Sequence, residues 1–542
     1  RLDGPYDAIV IGSGIGGLTT AACLSKLGKK VVVLEQHYTA GGFTHSYDRN
    51  GYEWDVGVHY IGDMGARHTL ARRLFDYVTD GKLQWAAMDD HYDRLFIGDR
   101  QIDLVAGPDA FARELKSQFP GEEQAIDTYL DYLSRVAKAM PGVTLAKVLP
   151  NLLAGPFRHL ARRKAPAFLN RTTREVLETL TGNQELIAAL TGQWGDNGLV
   201  PDDSSFIIHA LIARHYLYGG YYPVGGASEM AKTIIPVIQQ GGGEVFTYAD
   251  VKEIVIENGK AVGVRMADGQ DIHAPTVISN AGVFNTFGPL LPQNAPHKAF
   301  YQNKLGQVQR SMASVCLYIG LQDTAENLKL PKTNFWIYPG PDYRGQVEDF
   351  LADPDNRDIP LTYISFPSAK DPSFTQRYPG RATIEIVAPG PFQWYQQWAD
   401  KPWGKRGDDY EAKKEAYAQR LLEKLYEKMP HLRGKVDYYE LSTPLSTDYF
   451  CRYRHGEIYG LDHTPQRFEQ DWLKPLLIGK DVTIRGNSVY PVSAYYEAVE
   501  FLQKTSIPLD DMVTHRYRIE DAVEAFNTFD SSQTGKVVFE WD

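Results

Sequence analysis

The hydrophobic pattern opens on a short apolar run, Tyr6-Asp-Ala-Ile-Val-Ile11, which predicts a strand buried on both faces. A glycine turn, Gly12-Ser-Gly-Ile-Gly-Gly17, follows at once, and Leu18 to Leu27 reads as a helix of small and apolar residues stopped by Gly28. Val31 to Leu34 predicts the next strand, closed by the acid Glu35. Helical patterns dominate from about 64 to 215, as at Ala110 to Phe119 and Glu123 to Met140. Strand patterns return at Glu244 to Tyr248, and Val251 to Ile256 with Ala261 to Met266 predict a hairpin about Asn258-Gly259. Val277 to Asn280 predicts one more strand. Residues 290–440 alternate strands and helices, with a clear strand at Ile384 to Val387 and a long charged helix from Tyr410 to Met429.

The order of the opening elements carries chemistry. Gly12, Gly14 and Gly17 fit G-x-G-x-x-G, with Gly16 inside the same turn. The first glycine permits the tight turn, the second lets a pyrophosphate approach the backbone, and the third lets helix and strand pack closely. The helix start presents free N–H groups and a positive dipole end to the phosphates. Glu35, eighteen residues beyond Gly17, is placed to take both ribose hydroxyls, and a glutamate there disfavours a 2′-phosphate. The pair Gly41-Gly42 taken alone reads as an ordinary turn, but placed just after the ribose-binding acid it would also let backbone pass close to a second, bulkier part of the cofactor, as in FAD. No second G-x-G-x-x-G occurs, so no nicotinamide domain is visible, and an external NAD(P)H or another electron carrier is left to supply electrons.

Composition narrows the class. A chain of 542 residues with 43% hydrophobic content is too long for one core and predicts two or three lobes. A formal net charge of −11 argues against a nucleic-acid partner. The three cysteines, Cys23, Cys316 and Cys451, are far apart and form no CxxC, so neither a metal site nor a disulfide framework is predicted. No apolar run reaches the length of a membrane span. The sequence starts at Arg1, so targeting cannot be read from it, and the expectation is a cytoplasmic or peripheral membrane location. Asn151 to Lys164 mixes apolar anchors with a basic run. Such a stretch suits either an anionic membrane surface or a solvated helix with buried leucines.

Several motifs together resemble the retinol saturase branch of the phytoene desaturase and carotenoid isomerase family. They are Gly12 to Gly17, Glu35-Gln-His37, Gly41-Gly42, His45 and Asp55-x-Gly57-x-His59-Tyr60-Ile61-Gly62. The likeness continues at Tyr221 to Met230, at Gly434 to Pro444 and at His455 to Pro465, and covers most of residues 5–475. The resemblance implies an α/β fold: a glutathione-reductase-like Rossmann FAD-binding domain, a β-sheet substrate domain and a helical lobe. The FAD domain would take 1–75, 220–290 and 440–486, the helical and membrane-facing lobe 76–219, and the substrate domain 291–439. It implies a flavoprotein oxidoreductase acting on carbon–carbon double bonds of an apolar isoprenoid polyene. Saturation, desaturation and isomerisation stay open, as does a non-enzymatic prenyl-lipid escort of the same architecture. Asp55, Gly57 and Val251 would join the cofactor site, Val251 at the adenine.

A proton donor is required, and His59 and Tyr60 come first because they follow the Asp55-x-Gly57 turn; Glu457 and His463 come second. From about Gly479 the chain is instead similar to the C-terminal end of medium-chain zinc alcohol dehydrogenases, without that family's zinc ligands or nicotinamide glycines. Gly479 and Asp481 would stand in for the flavin turn, with 487–542 as an appended tail carrying helices at Tyr495 to Lys504 and near Ile519 to Phe529 and a strand at Lys536 to Glu540.

Overall fold

The computed structural model describes residues 4–148, 168 and 170–470, together with four short strands beyond them. The apolar stretch 151–164, Gly479, Asp481 and the two tail helices lie outside the described residues. Contacts divide the chain into two units, Arg1–Tyr490 and Pro491–Asp542. In the second, Val513–Arg518 pairs in parallel with Lys536–Glu540. Among the described residues, no helix is long and apolar enough to cross a membrane.

The opening apolar runs form a parallel sheet in the order Glu244–Phe246, Val31–Leu34, Ala8–Ile11, Val277–Ser279. One face packs on the helices Ile15–Lys26 and Glu229–Gln240 through Leu18, Ala21, Ile234 and Ile238. The other face packs against a three-stranded antiparallel sheet, Val251–Glu257, Lys260–Met266 and Asp271–His273. Its first hairpin turns at Asn258 and Gly259, both left-handed, as a two-residue turn between twisted strands requires.

A seven-stranded sheet follows, in the order Val436–Ser442, Ser314–Leu321, Ala382–Pro389, Thr362–Ser365, Asn334–Tyr338, His91–Ile97, Arg100–Val105. All neighbours are antiparallel except Asn334–Tyr338 with His91–Ile97. Two boundaries differ from those expected. His91–Ile97 and Arg100–Val105 lie in the stretch expected to be a helical lobe, yet they extend this sheet. Leu95, Ile97, Ile102 and Leu104 alternate with more exposed neighbours, a period of two that the surrounding helical patterns obscure. The division at 440 falls inside the strand Val436–Ser442.

The two faces of this sheet are unlike. Val315, Leu317, Ile319, Phe335, Ile337, Ile364, Ile384 and Ile386 pack with Leu421 and Leu425 of the helix Asp408–Lys428 and with Phe350. By strand alternation the opposite face carries Tyr318, Glu385, Tyr363, Ser365, Asn334, Trp336 and Asp93. Its aromatic members Trp336, Tyr338 and Tyr363 pack with the core of the helical lobe, including Tyr129, Trp194 and Phe206.

Candidate active site

The glycine turn is built almost without side chains. Gly12 has φ +91, which a side chain rarely adopts, and a Cβ on Gly17 would overlap the Gly12 carbonyl oxygen. The helix Ile15–Lys26 starts here with no acid in its first turn, so its free N–H groups and positive end meet no competing charge. Gly16 lies in that first turn and its carbonyl accepts the Thr20 hydroxyl at 2.8 Å. Gly41 and Gly42 form a second turn at φ +124 and +57, and Gly41 bridges to Gly14. A Cβ on Gly42 would sit 2.9 Å from the Gly14 Cα. Two backbones thus touch over a helix N-terminus, a cradle that fits a pyrophosphate.

One carboxylate ties the cradle together. Glu35 Oε2 accepts the Ser13 N–H at 2.8 Å and the Ser13 hydroxyl at 2.7 Å, and Oε1 accepts the His37 N–H at 2.8 Å. The same Ser13 hydroxyl accepts the Gly41 N–H at 3.1 Å. Four acceptor directions on a carboxylate less these three leave one, on Oε1, for a ribose hydroxyl. For Glu35 to take both hydroxyls, as expected, the second one has to displace Ser13 Oγ. Val251 begins the hairpin beside the sheet, buried with Ile11, Leu34 and Val264.

From the second glycine turn the contacts run on. A Cβ on Gly57 would lie 3.1 Å from the Phe43 Cβ, and the Val56 N–H donates to His45 O at 3.0 Å. Asp55, fully buried, accepts the Ala227 N–H at 2.9 Å and the Tyr222 hydroxyl, while its own N–H donates to Glu385 Oε1 at 2.6 Å. Glu385 Oε2 lies 2.7 Å from His59 Nδ1.

Register places Glu385 opposite Ser365 and Asn334 opposite Asp93, so a polar row crosses four adjacent strands. Lys370 lies along this row, donating to Ser365 Oγ at 2.7 Å, to His59 O at 2.9 Å and to Asn334 Oδ1. At the far end Asp93 accepts the amides of Gln193 at 2.7 Å and Asn334 at 2.9 Å, and the Tyr60 hydroxyl at 2.8 Å. Tyr60 stacks on Tyr216 at 4.2 Å, with Asp196 3.5 Å from its hydroxyl.

Burial dominates the charge states of this row. It raises Glu385 to about 8, against the pull of the Asp55 N–H and the Lys370 ammonium. It raises Asp55 to about 8, helped by the Glu385 charge and opposed by Tyr222 and Ala227. It lowers Lys370 to about 7, against the attraction of Glu385, Asp93 and Asp55. It lowers His59 to about 4, with Lys370 adding to the fall and Asp55 opposing it. Asp93 is raised by burial against its amide and hydroxyl donors, and Asp196 well above its usual range by burial and then by Asp93. Near neutrality Glu385 and Asp55 keep protons and the His59 imidazole stays neutral, so this end of the row can hold a proton and move one.

The structure brings His59 and Tyr60 to one row and turns them to opposite ends of it. It does not bring Glu457 or His463 to them by a hydrogen bond among the described residues. Glu457, fully buried, pairs with Arg310 and accepts the His455 N–H at 2.9 Å. His463 Nδ1 donates to Asn197 O at 3.0 Å, and burial lowers its pKa to about 4. Tyr459, between them in sequence, donates to Gly195 O at 2.9 Å, so this segment braces the turn that carries Asp196. Sequence reasoning missed Ser13, Asp93, Lys370 and Glu385. For Glu385 a signal exists: an acid flanked by Ile384 and Ile386 in a strand buried on both sides.

Residues 10–78 match the model of an NAD(P)-binding Rossmann-like domain. The all-trans-retinol 13,14-reductase of Homo sapiens is 38% identical over 84% of this chain and 77% of its own. The chloroplastic prolycopene isomerase of Daucus carota is 29% identical over 81% of this chain and 69% of its own. A solved oxidoreductase from Methanosarcina mazei superposes with a TM-score of 0.62 at 17% identity, covering 92% of this chain and all of that one, which shows the fold.

Proposed function

Because the chain belongs to the family of the all-trans-retinol 13,14-reductases, we propose that it is a flavoprotein that saturates one carbon–carbon double bond of a retinol-like polyene. The observation that carries this reading is continuity: the two-turn cradle passes through Phe43 and Gly57 directly into a buried row of proton-holding groups. Gly12, Gly14, Gly17, Gly41 and Gly42 would hold the pyrophosphate of FAD and Glu35 its ribose. FAD, when bound, supplies a hydride to one carbon of the double bond. The protein's part is to orient an apolar substrate and to deliver a proton to the other carbon. Tyr363 and Trp336, packed against the helical lobe, and Tyr216, stacked on Tyr60, wall the row with aromatic rings, and His59 is its proton-bearing group that keeps some exposure.

The test is a visible spectrum of the protein reconstituted with FAD, followed by anaerobic incubation of its reduced form with all-trans-retinol. Flavin bands and a product heavier by two hydrogens are expected. A product of unchanged mass is an isomer, and retinol left unchanged by the reduced form but made lighter by two hydrogens by the oxidised form is desaturated; either overturns saturation. Absence of flavin bands overturns the cofactor assignment.

A further inference from the structure

Resting on the reductase reading above, we propose that the proton added to the polyene comes from Glu385, passes through the imidazole of His59, and leaves a carboxylate that Lys370 stabilises. Glu385 is fully buried and cannot itself touch a substrate: its Oε1 takes the Asp55 N–H and its Oε2 faces His59 Nδ1 at 2.7 Å. His59 is the outward member of the pair. Its side chain is 15% exposed against 0% for Glu385, and its Nε2 has no hydrogen-bond partner among the described residues. An imidazole bonded at one nitrogen and open at the other can accept a proton behind and release one in front. Lys370 is held over the same strands by Ser365, which lies opposite Glu385, and by the His59 carbonyl.

The step balances. The electron pair of the new C–H bond at one carbon arrives as hydride from the reduced flavin cofactor. The former π pair takes the proton from His59 Nε2 at the other carbon, so Nε2–H breaks and C–H forms. In the same step Nδ1 takes the Glu385 proton across the 2.7 Å contact, so the Glu385 O–H breaks, no imidazolate forms, and His59 ends neutral in its other tautomer. Glu385 ends as a carboxylate attracted by Lys370 across the row, and a proton from solvent restores the start.

The charge states above suit this exchange, since burial keeps Glu385 protonated and His59 neutral near pH 7. The groups that bear on Glu385 are Asp55 and Glu53 on one neighbouring strand, Cys316 and Tyr318 on another, Tyr222, His59 and Lys370. Of these only Lys370 is a cation.

Two measurements test the relay. In ¹⁵N-histidine NMR without substrate, the His59 signal, identified by its loss in His59→Gln, is expected to show Nε2–H at neutral pH. It should switch to Nδ1–H as Glu385 ionises, and Glu385→Gln should abolish the switch. In anaerobic single turnover, oxidation of the reduced flavin by all-trans-retinol should slow as pH rises through the same titration. Glu385→Gln and His59→Gln should slow it by about 100-fold or more, the usual worth of a positioned acid. Both should keep the flavin bands, and Glu385→Asp should recover part of the rate. A His59 tautomer indifferent to pH, or Glu385→Gln turning over with the wild-type rate and pH profile, overturns the relay alone. Wild type that shows the switch but is not oxidised by retinol overturns the reductase reading and the relay's role with it.

Discussion

The cofactor cradle and the polar row adjoin one another and are built in opposite ways. The cradle is backbone against backbone, Gly41 bridged to Gly14 with one carboxylate behind them. The row is side chain against side chain, Asp93, Asn334, Ser365 and Glu385 standing on four strands with Lys370 laid along them. A site made of backbone is damaged by adding atoms. A site made of buried charge is damaged by removing a partner, because the remaining charge has no water to turn to.

The largest break in the comparison is Lys370→Met, which removes the cation of the row. It should cost about 3–5 kcal/mol at about pH 9, because three buried acceptors, Ser365 Oγ, His59 O and Asn334 Oδ1, lose their donor, and less at about pH 5, where the wild-type lysine has to carry a charge in a buried site. Asp55 and Glu385, raised to about 8, stabilise the fold while protonated, and that contribution is lost as pH rises from the ordinary carboxylate range through about 8. His59, lowered to about 4, contributes above its ordinary 6.5 and loses that as pH falls. Lys370, lowered to about 7, contributes above its ordinary 10.5 and loses that as pH falls through about 7. Wild-type stability should therefore decline towards about pH 8 and recover above it, and Lys370→Met should lack the recovery. Urea unfolding across pH measures both, and parallel curves for the two proteins would count against the assigned charges.

Glu35→Ala comes next. It should weaken FAD binding by about 1–3 kcal/mol, the scale of hydrogen bonds to a charged group. Flavin fluorescence titration reads this, and unchanged affinity would refute the ribose assignment. Gly42→Ala should cost about 1–2 kcal/mol from its left-handed φ. Its methyl group should wedge the two turns apart and lower the flavin-to-protein ratio, while leaving the His59 tautomer untouched. Ser13→Ala, the smallest, should cost about 0.5–1.5 kcal/mol of stability. It frees Oε2 of Glu35, so FAD affinity should hold or rise, and a sharp loss would mean that Ser13 Oγ binds the cofactor rather than competing with it.

The cradle was legible because its chemistry is local. Strand, glycines, helix and acid follow one another within thirty-five residues, and each position is demanded by backbone geometry. Only the occupation of Glu35 by Ser13 and His37 was hidden, since a serine inside a glycine turn announces nothing. His59 and Tyr60 were legible as neighbours of that turn, but not their opposite orientations, which depend on where Glu385 and Asp93 arrive. Those arrivals are set by register between strands that no local pattern encodes. The strands His91–Ile97 and Arg100–Val105 were absorbed into a helical stretch for the same reason, their partner Asn334–Tyr338 lying far along the chain.

The row also constrains how the chain can assemble. On Ala382–Pro389, Glu385 is flanked by Ile384 and Ile386, which face the apolar side. Slipping this strand by one residue would exchange the faces, burying the carboxyl among Leu317, Ile319 and Phe366 and setting an isoleucine opposite Ser365. A misaligned sheet would thus expose its error at once, as an acid with no donor in the greasiest part of the protein. The same carboxyl that stands opposite Ser365 in the finished sheet thus penalises a one-residue slip of its strand during assembly.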